Sequence, residues 1–225
     1  MERYIKMEEI SDGKRYHSNE MAKLGCNDCE GCSECCHNVG ESIILDPWDI
    51  YMLETNLSCS FEALLGKYLE LKVYQGIVLP HLLLDEKNGC HFLSKEGRCQ
   101  IHSFRPGFCR LFPLGRIYEN DSFSYFLQTK ECKKERRTKV KISKWLGIPK
   151  LASYEKYICQ WHYLIKEIQE FTKQMDDQKL KEWNMYLLQS FFVAPYESGD
   201  FYVQFEKRYE EAKIQIEKIE NGEYL

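Results

Sequence analysis

Between residues 26 and 36 the chain sets a cysteine at every third position and closes on an adjacent pair: Cys26, Cys29, Cys32, Cys35 and Cys36. A C-x-x-C step turns two sulfurs to one side of a tight loop whose backbone amides also point inward, as a thiolate-bound metal requires. Three such steps in succession are more than composition produces by chance, and Gly25 and Gly31 give the backbone freedom to fold back round an ion. Whatever else the chain forms, it must accommodate this loop and the sulfurs that complete it.

The sequence holds eleven cysteines among 225 residues. The count is odd, and the first residues carry no apolar stretch behind a basic one, so a secreted disulfide framework is not expected. Cytoplasmic, reduced thiols are the expectation. No later run approaches the roughly 18 uninterrupted apolar residues of a membrane span. With 44% hydrophobic and 14% aromatic residues the chain can bury a core without cross-links. A net charge of −4 gives no global attraction to nucleic acid or an anionic membrane, and neither is expected as a partner. The basic run at 133–141 lacks interleaved aromatics and reads as a solvated face.

Spacing within the first group fits two ligand sets. Cys26, Cys29, Cys32 and Cys36 follow the C-x-x-C-x-x-C-x-x-x-C step of bacterial ferredoxins, with His37 where those have Pro. Alternatively Cys29, Cys32, Cys35 and Cys36 form C-x-x-C-x-x-C-C, whose last two side chains diverge if the backbone is extended. Further along, Cys90, Cys99, Cys109 and Cys132 are separated by loops rich in Gly and Pro. Arg105 and Arg110 flank Cys109, where they can neutralise thiolate charge, hydrogen-bond sulfur or backbone carbonyls, or bind an anionic cofactor or substrate. His37, His91, His102 and His162 read as surface or core histidines, and Cys59 and Cys159 as helical, half-buried thiols.

The surrounding pattern predicts an α+β, mostly helical chain: a small cysteine-rich metal-binding module with short strands, packed against a C-terminal helical region. The expected division is an N-terminal arm at 1–25, the module at 26–148 and the helices at 149–225, together one unit. Residues 42–57 read as a strand and then a helix with Asp46 as N-cap and Pro47 at the first position. Ser60 is expected to cap a helix carrying Phe61, Leu64, Leu65, Tyr68 and Leu69 on one face. Residues 73–85 read as extended, and 116–128 as a hairpin turning at Asn120 and Asp121. Ser143 is expected to cap a short helix ended by Gly147, and Tyr154 to Met175 recur at helical spacing. Two further helices are expected at about 177–193 and 200–220, ended by Asn221 and Gly222.

Three motifs in order carry a resemblance: C-x-x-C-x-x-C-C at 29–36, I-I-L-x-P-x-D-I at 43–50, and C-x-F-L…G-R-C-x-I-H-x-x-R-P-x-x-C-R-x-F-P at 90–113. They resemble the bacterial cysteine-cluster proteins called YkgJ-like, a zinc- or iron-chelating family, over about residues 26–148. The resemblance implies Cys29, Cys32, Cys35, Cys36, Cys90, Cys99, Cys109 and Cys132 as ligands, and leaves Cys26, Cys59 and Cys159 outside. The cysteine region is also similar to that of flagellin lysine N-methylases, which implies an iron–sulfur cluster. That similarity and the repeated C-x-x-C steps favour a 4Fe-4S cluster, with zinc as the alternative. No nucleophile elbow, Walker loop or dinucleotide fingerprint is present, so catalytic residues are not assignable. The readings are a redox or cluster-dependent modification enzyme acting on a protein substrate, or a zinc-stabilised module that meets a protein partner.

Overall fold

A computed structural model of the chain describes residues 7–26, 32–37, 43–86, 89–134 and 137–221. Helix α1 (Met7–Ile10) leads into a segment hydrogen-bonded to distant strands, with Tyr16 and Tyr125 exchanging backbone bonds of 2.8 and 2.9 Å. Strand β1 (Met21–Gly25) then pairs antiparallel with β6 (Thr138–Lys141), Met21 opposite Lys141 and Lys23 opposite Lys139. Residues 11–25 are thereby tied to the far end of the cysteine-bearing half.

Helix α2 (Pro47–Leu57) begins where the sequence places it, because Asp46 and Asp49 form a reciprocal cap and Pro47 fits the first turn. It ends in a left-handed residue, Ser58, which puts Cys59 in the turn that follows and not on a helix. Helix α3 (Phe61–Leu64) is shorter than the apolar spacing predicts. Ser60 caps it, but Gly66 at φ 73° turns the chain out of the helix, and Leu69 instead opens a strand.

Strands β2 (Leu69–Tyr74) and β3 (Ile77–Leu82) form a hairpin whose turn residues, Gln75 and Gly76, both have positive φ. Residues 43–45 lie along β3 on the other side, Leu45 N–H donating to Pro80 O and Leu82 N–H to Ile43 O. After the short helix α4 (Gly107–Leu111) come β4 (Leu114–Glu119) and β5 (Ser122–Leu127), turning at Asn120 and Asp121 as expected. Helix α5 (Ile142–Leu146) ends at Gly147 in the left-handed region, but Lys141 stands at its N-cap and Ser143 lies inside it.

The C-terminal region is helical: α6 (Leu151–Thr172), α7 (Asp177–Leu188) running into a π-helical turn at Gln189–Val193, and α8 (Phe201–Glu220), with Asn221 at its end. Gly222 lies outside the described residues. Among the described residues helix outweighs strand, and the strands come as three antiparallel pairs, which is the α+β class expected. Among the described residues no helix is long and apolar enough to cross a membrane.

One apolar core joins the two halves. The Trp48 ring meets Tyr154 of α6 edge-on at 5.1 Å, and Trp48 N–H donates to the Tyr157 hydroxyl at 3.0 Å. Trp161, Phe191, Phe192 and Phe205 continue this layer between α6, the π-turn and α8. Asn184 of α7 accepts from Val78 N–H at 2.6 Å and donates to Gly76 O at 3.2 Å, latching the β2–β3 turn to the helices.

Candidate metal centre

The adjacent pair Cys35–Cys36 lies in a single 3-10 turn, Glu34–Cys36, with Cys36 N–H donating to Ser33 O at 2.8 Å. Cys36 O accepts from Cys90 N–H at 2.9 Å, and His37 bridges to Gly89, so the first cysteine group is stitched by backbone to the second. Cys90 opens a loop that folds back on itself. Leu93 N–H donates to Cys90 O, Ser94 N–H to Arg98 O and Gln100 N–H to Phe92 O, with Leu93 bridged to Cys99. Gly97 at φ 74° makes the reversal, close to Ser33. The loop is anchored by Phe92, 2% exposed and stacked on Tyr68 at 4.4 Å.

From Cys99 the chain buries Ile101, passes a second 3-10 turn at His102–Phe104 and enters α4, which carries Cys109 and Arg110. No two of the described cysteines are joined by a disulfide. Cys35, Cys36, Cys90, Cys99 and Cys109 lie close enough for the charge on one to shift another. A hydrogen bond from the Cys36 thiol holds Cys35 at about 6, and the same bond, followed by burial, pushes Cys36 up. Burial first, then neighbouring thiolates, raises Cys90. Burial is also the main cause at Cys99 and Cys109, with Cys90, Asp49 and Cys99 adding at Cys109. Arg105 adds to the downward shift at Cys35 and opposes the upward shifts at Cys99 and Cys109. Sulfurs gathered this way resist ionising together unless a cation joins them, which is how metal binding displaces protons.

Cys32 and Cys132 lie on neighbouring segments, and Cys26 at the end of β1. Lys133 pairs with Glu34 at 2.6 Å and feels the charge of Cys32, which brings the segment bearing Cys132 beside the 3-10 turn. Cys26 follows β1, whose Gly25 packs against Thr138. Cys29 lies outside the described residues. Among the described residues no three His, Cys, Asp or Glu side chains are close enough to hold a metal ion as they stand. The five central thiols share a field without forming a closed coordination sphere.

The two arginines have different surroundings. Arg110 is 6% exposed, and its guanidinium donates to Arg105 O at 3.0 Å, to Leu146 O at 3.4 Å and to Ser103 O, over the Trp48 ring at 5.6 Å. Its donors are spent on carbonyls around the Cys109 loop. Arg105 meets the His102 ring through Nη1, while its buried Nε has no hydrogen-bond partner. Cys159, on α6, donates to Asp121 O at 3.3 Å, and neither it nor Cys59 feels another cysteine. His162 stacks on Tyr118 at 3.6 Å.

Sequence reasoning carried Asp49 only as the D of the motif I-I-L-x-P-x-D-I and gave it no role. Its carboxylate is 2% exposed, accepting from Asp46 N–H at 3.2 Å through Oδ2 and from Gly107 N–H at 2.6 Å through Oδ1. A second signal was the D-x-x-D step of the capping box, which explains one of these bonds and says nothing of the other. Gly107 has no room for a side chain, since a Cβ there would lie 2.4 Å from the Tyr154 hydroxyl. That hydroxyl also accepts from Arg116 at 3.2 Å.

No solved structure matches this chain. Residues 28–142, more than half of the 225, match the family model CxxCxxCC, whose description reads "Putative zinc- or iron-chelating domain". The match takes in the Cys35–Cys36 turn, the Cys90–Cys99 loop, α4 and Cys132, begins beyond Cys26 and stops short of α6. With its repeated C-x-x-C steps and its converging loops inside that span, the chain belongs to the CxxCxxCC family of zinc- or iron-chelating domains.

Proposed function

We propose that the chain holds an iron–sulfur cluster, 4Fe-4S in preference to a zinc ion, through thiolates drawn from Cys29, Cys32, Cys35, Cys36, Cys90, Cys99, Cys109 and Cys132, with Cys26 as a further candidate. The observation that carries this reading is the convergence of five free thiols from three segments, three of these thiols feeling the charge of Arg105, whose buried Nε has no partner. A buried donor without an acceptor is costly, by about 1–3 kcal/mol, and an anionic thiolate centre would satisfy it.

In this reading Arg105 donates toward sulfur and offsets its charge, while Arg110 holds the carbonyls of the loop that presents Cys109. A bound cluster would supply electron transfer or an electrophilic iron. The chemistry proposed is a redox or cluster-dependent modification of a protein substrate in the reducing cytoplasm, where free thiols persist. The repeated C-x-x-C steps and the likeness of the cysteine region to flagellin lysine N-methylases favour iron over zinc.

The test is anaerobic purification followed by metal and acid-labile sulfide analysis. Brown protein containing iron and sulfide supports the reading. Colourless protein retaining stoichiometric zinc after purification from iron-rich cells would replace it with a zinc-stabilised interaction module.

A further inference from the structure

Helix α4 delivers Cys109 to the thiol group, yet its own sequence does not cap it. Pro106 stands at the N-cap with no side-chain hydrogen bond, and a proline side chain has no acceptor to offer. The missing acceptor comes from far along the chain. Asp49, in the first turn of α2, reaches across to Gly107 N–H at 2.6 Å, 58 positions away in sequence. Its second oxygen is already engaged by Asp46 N–H, so the carboxylate is held from both sides and cannot swing away without breaking the α2 cap. Beneath, the Tyr154 hydroxyl leaves Gly107 no freedom to shift toward α6.

We infer that Asp49 is a positioning residue for the metal centre: by capping α4 from α2 it sets where Cys109 presents its sulfur. This rests on the metal-centre reading given above and adds to it a residue that touches no ligand. The two bonds of Asp49 divide its work. The bond to Asp46 belongs to the stability of α2, and the bond to Gly107 belongs to the placement of Cys109. Asp46 offers the natural contrast, because it accepts from Asp49 N–H at 2.9 Å and makes no bond to Gly107.

The experiment uses the full chain, stripped of metal and titrated anaerobically with cobalt(II), whose thiolate-to-metal absorption reports how many sulfurs bind, and with zinc against a competing chelator. Asp49→Ala should weaken zinc binding by about 10–100-fold, the range found when a residue supporting a metal ligand is lost. It should also reduce the cobalt–thiolate absorption as Cys109→Ser does. Asp49→Asn keeps an oxygen for Gly107 N–H but sets an amide NH2 against Asp46 N–H. It should recover the absorption and most of the affinity while melting at a lower temperature than the parent. Asp46→Ala should lower the melting temperature and leave the cobalt spectrum unchanged.

The inference is overturned if Asp49→Ala binds cobalt with the parent spectrum and affinity. It is equally overturned if Asp46→Ala and Asp49→Ala lose both alike, or if Asp49→Asn restores nothing. A parent chain that bound neither ion, and no cluster on anaerobic reconstitution with iron and sulfide, would remove the metal-centre reading itself, and this inference with it.

Discussion

Changing Arg110 to Lys separates a structural arginine from one that serves the centre. The guanidinium is 6% exposed and donates to the carbonyls of Ser103, Arg105 and Leu146 from one planar fork. A lysine ammonium has one nitrogen and can reach one of these positions well, so two buried carbonyls lose their donor. At about 1–3 kcal/mol for each orphaned group, with the 3.4 Å bond to Leu146 at the low end, the loss is about 2–4 kcal/mol. The stacking over Trp48 adds about 0.5–1 kcal/mol. A total near 4 kcal/mol corresponds, for a chain of this size, to a drop in melting temperature of about 8–16 °C. Thermal unfolding followed by tryptophan fluorescence, on metal-loaded and chelated protein, measures it. The drop should be of similar size in both states, because the partners are backbone carbonyls and not the ligands. A variant melting within about 2 °C of the parent would refute the assignment. So would a loss confined to the metal-loaded form, which would mean that Arg110 acts on the bound group.

Arg105→Lys should do the opposite, lowering metal retention on gel filtration while shifting melting of the chelated protein little, since its Nε has no protein partner to lose. Cys35→Ser, Cys99→Ser and Cys109→Ser should each reduce metal stoichiometry, whereas Cys59→Ser and Cys159→Ser should leave it intact by elemental analysis. In chelated protein, alkylation of Cys35 should rise with pH through about 6, because the hydrogen bond from Cys36 favours its thiolate; half-maximal labelling near the ordinary thiol value of 9.0 would contradict the geometry. Metal removal should raise hydrogen exchange in residues 89–109 more than in α6, because the sulfurs lie on loops and α6 lies in the aromatic layer.

Elements announced by local chemistry were legible in the sequence. Asp46 with Pro47 marks the start of α2, and Asn120 with Asp121 tolerates the positive φ that the β4–β5 turn demands. The long apolar stripe of α6 has one periodicity and one solution. At Ser60 the spacing misled, because Phe61, Leu64, Leu65, Tyr68 and Leu69 satisfy a helical period that Gly66 interrupts, and Leu69 is buried from a strand instead. Residues 73–85 read as one extended run, since Gln75 and Gly76 carry a weaker turn signal than Asn-Gly or Asp-Gly. Pairing between β1 and β6, across more than half the chain, leaves no local trace at all. At the candidate site the spacing groups the sulfurs as candidate ligands. It does not distinguish Arg105 from Arg110, because the difference lies in what surrounds each guanidinium once the chain has folded.

The family span ends at residue 142, while the contacts that hold α2 and α4 continue past it. The floor under α4 is Tyr154, whose hydroxyl abuts Gly107 and accepts from Arg116, and the floor under the α2 cap is Tyr157, which accepts from Trp48 N–H. Both tyrosines belong to α6, outside the family match. A chain cut after residue 148 would therefore retain every candidate ligand and lose the surface that holds α2 and α4 in register. Trp48, 4% exposed in the intact chain, would then face water, and burying an aromatic ring of that size contributes several kcal/mol. The fragment should bind metal more weakly than the full chain and show greater tryptophan exposure to a soluble quencher. If it instead loads metal with parental affinity and a protected Trp48, the helical region is not what supports the site, and α6 must be assigned a separate task.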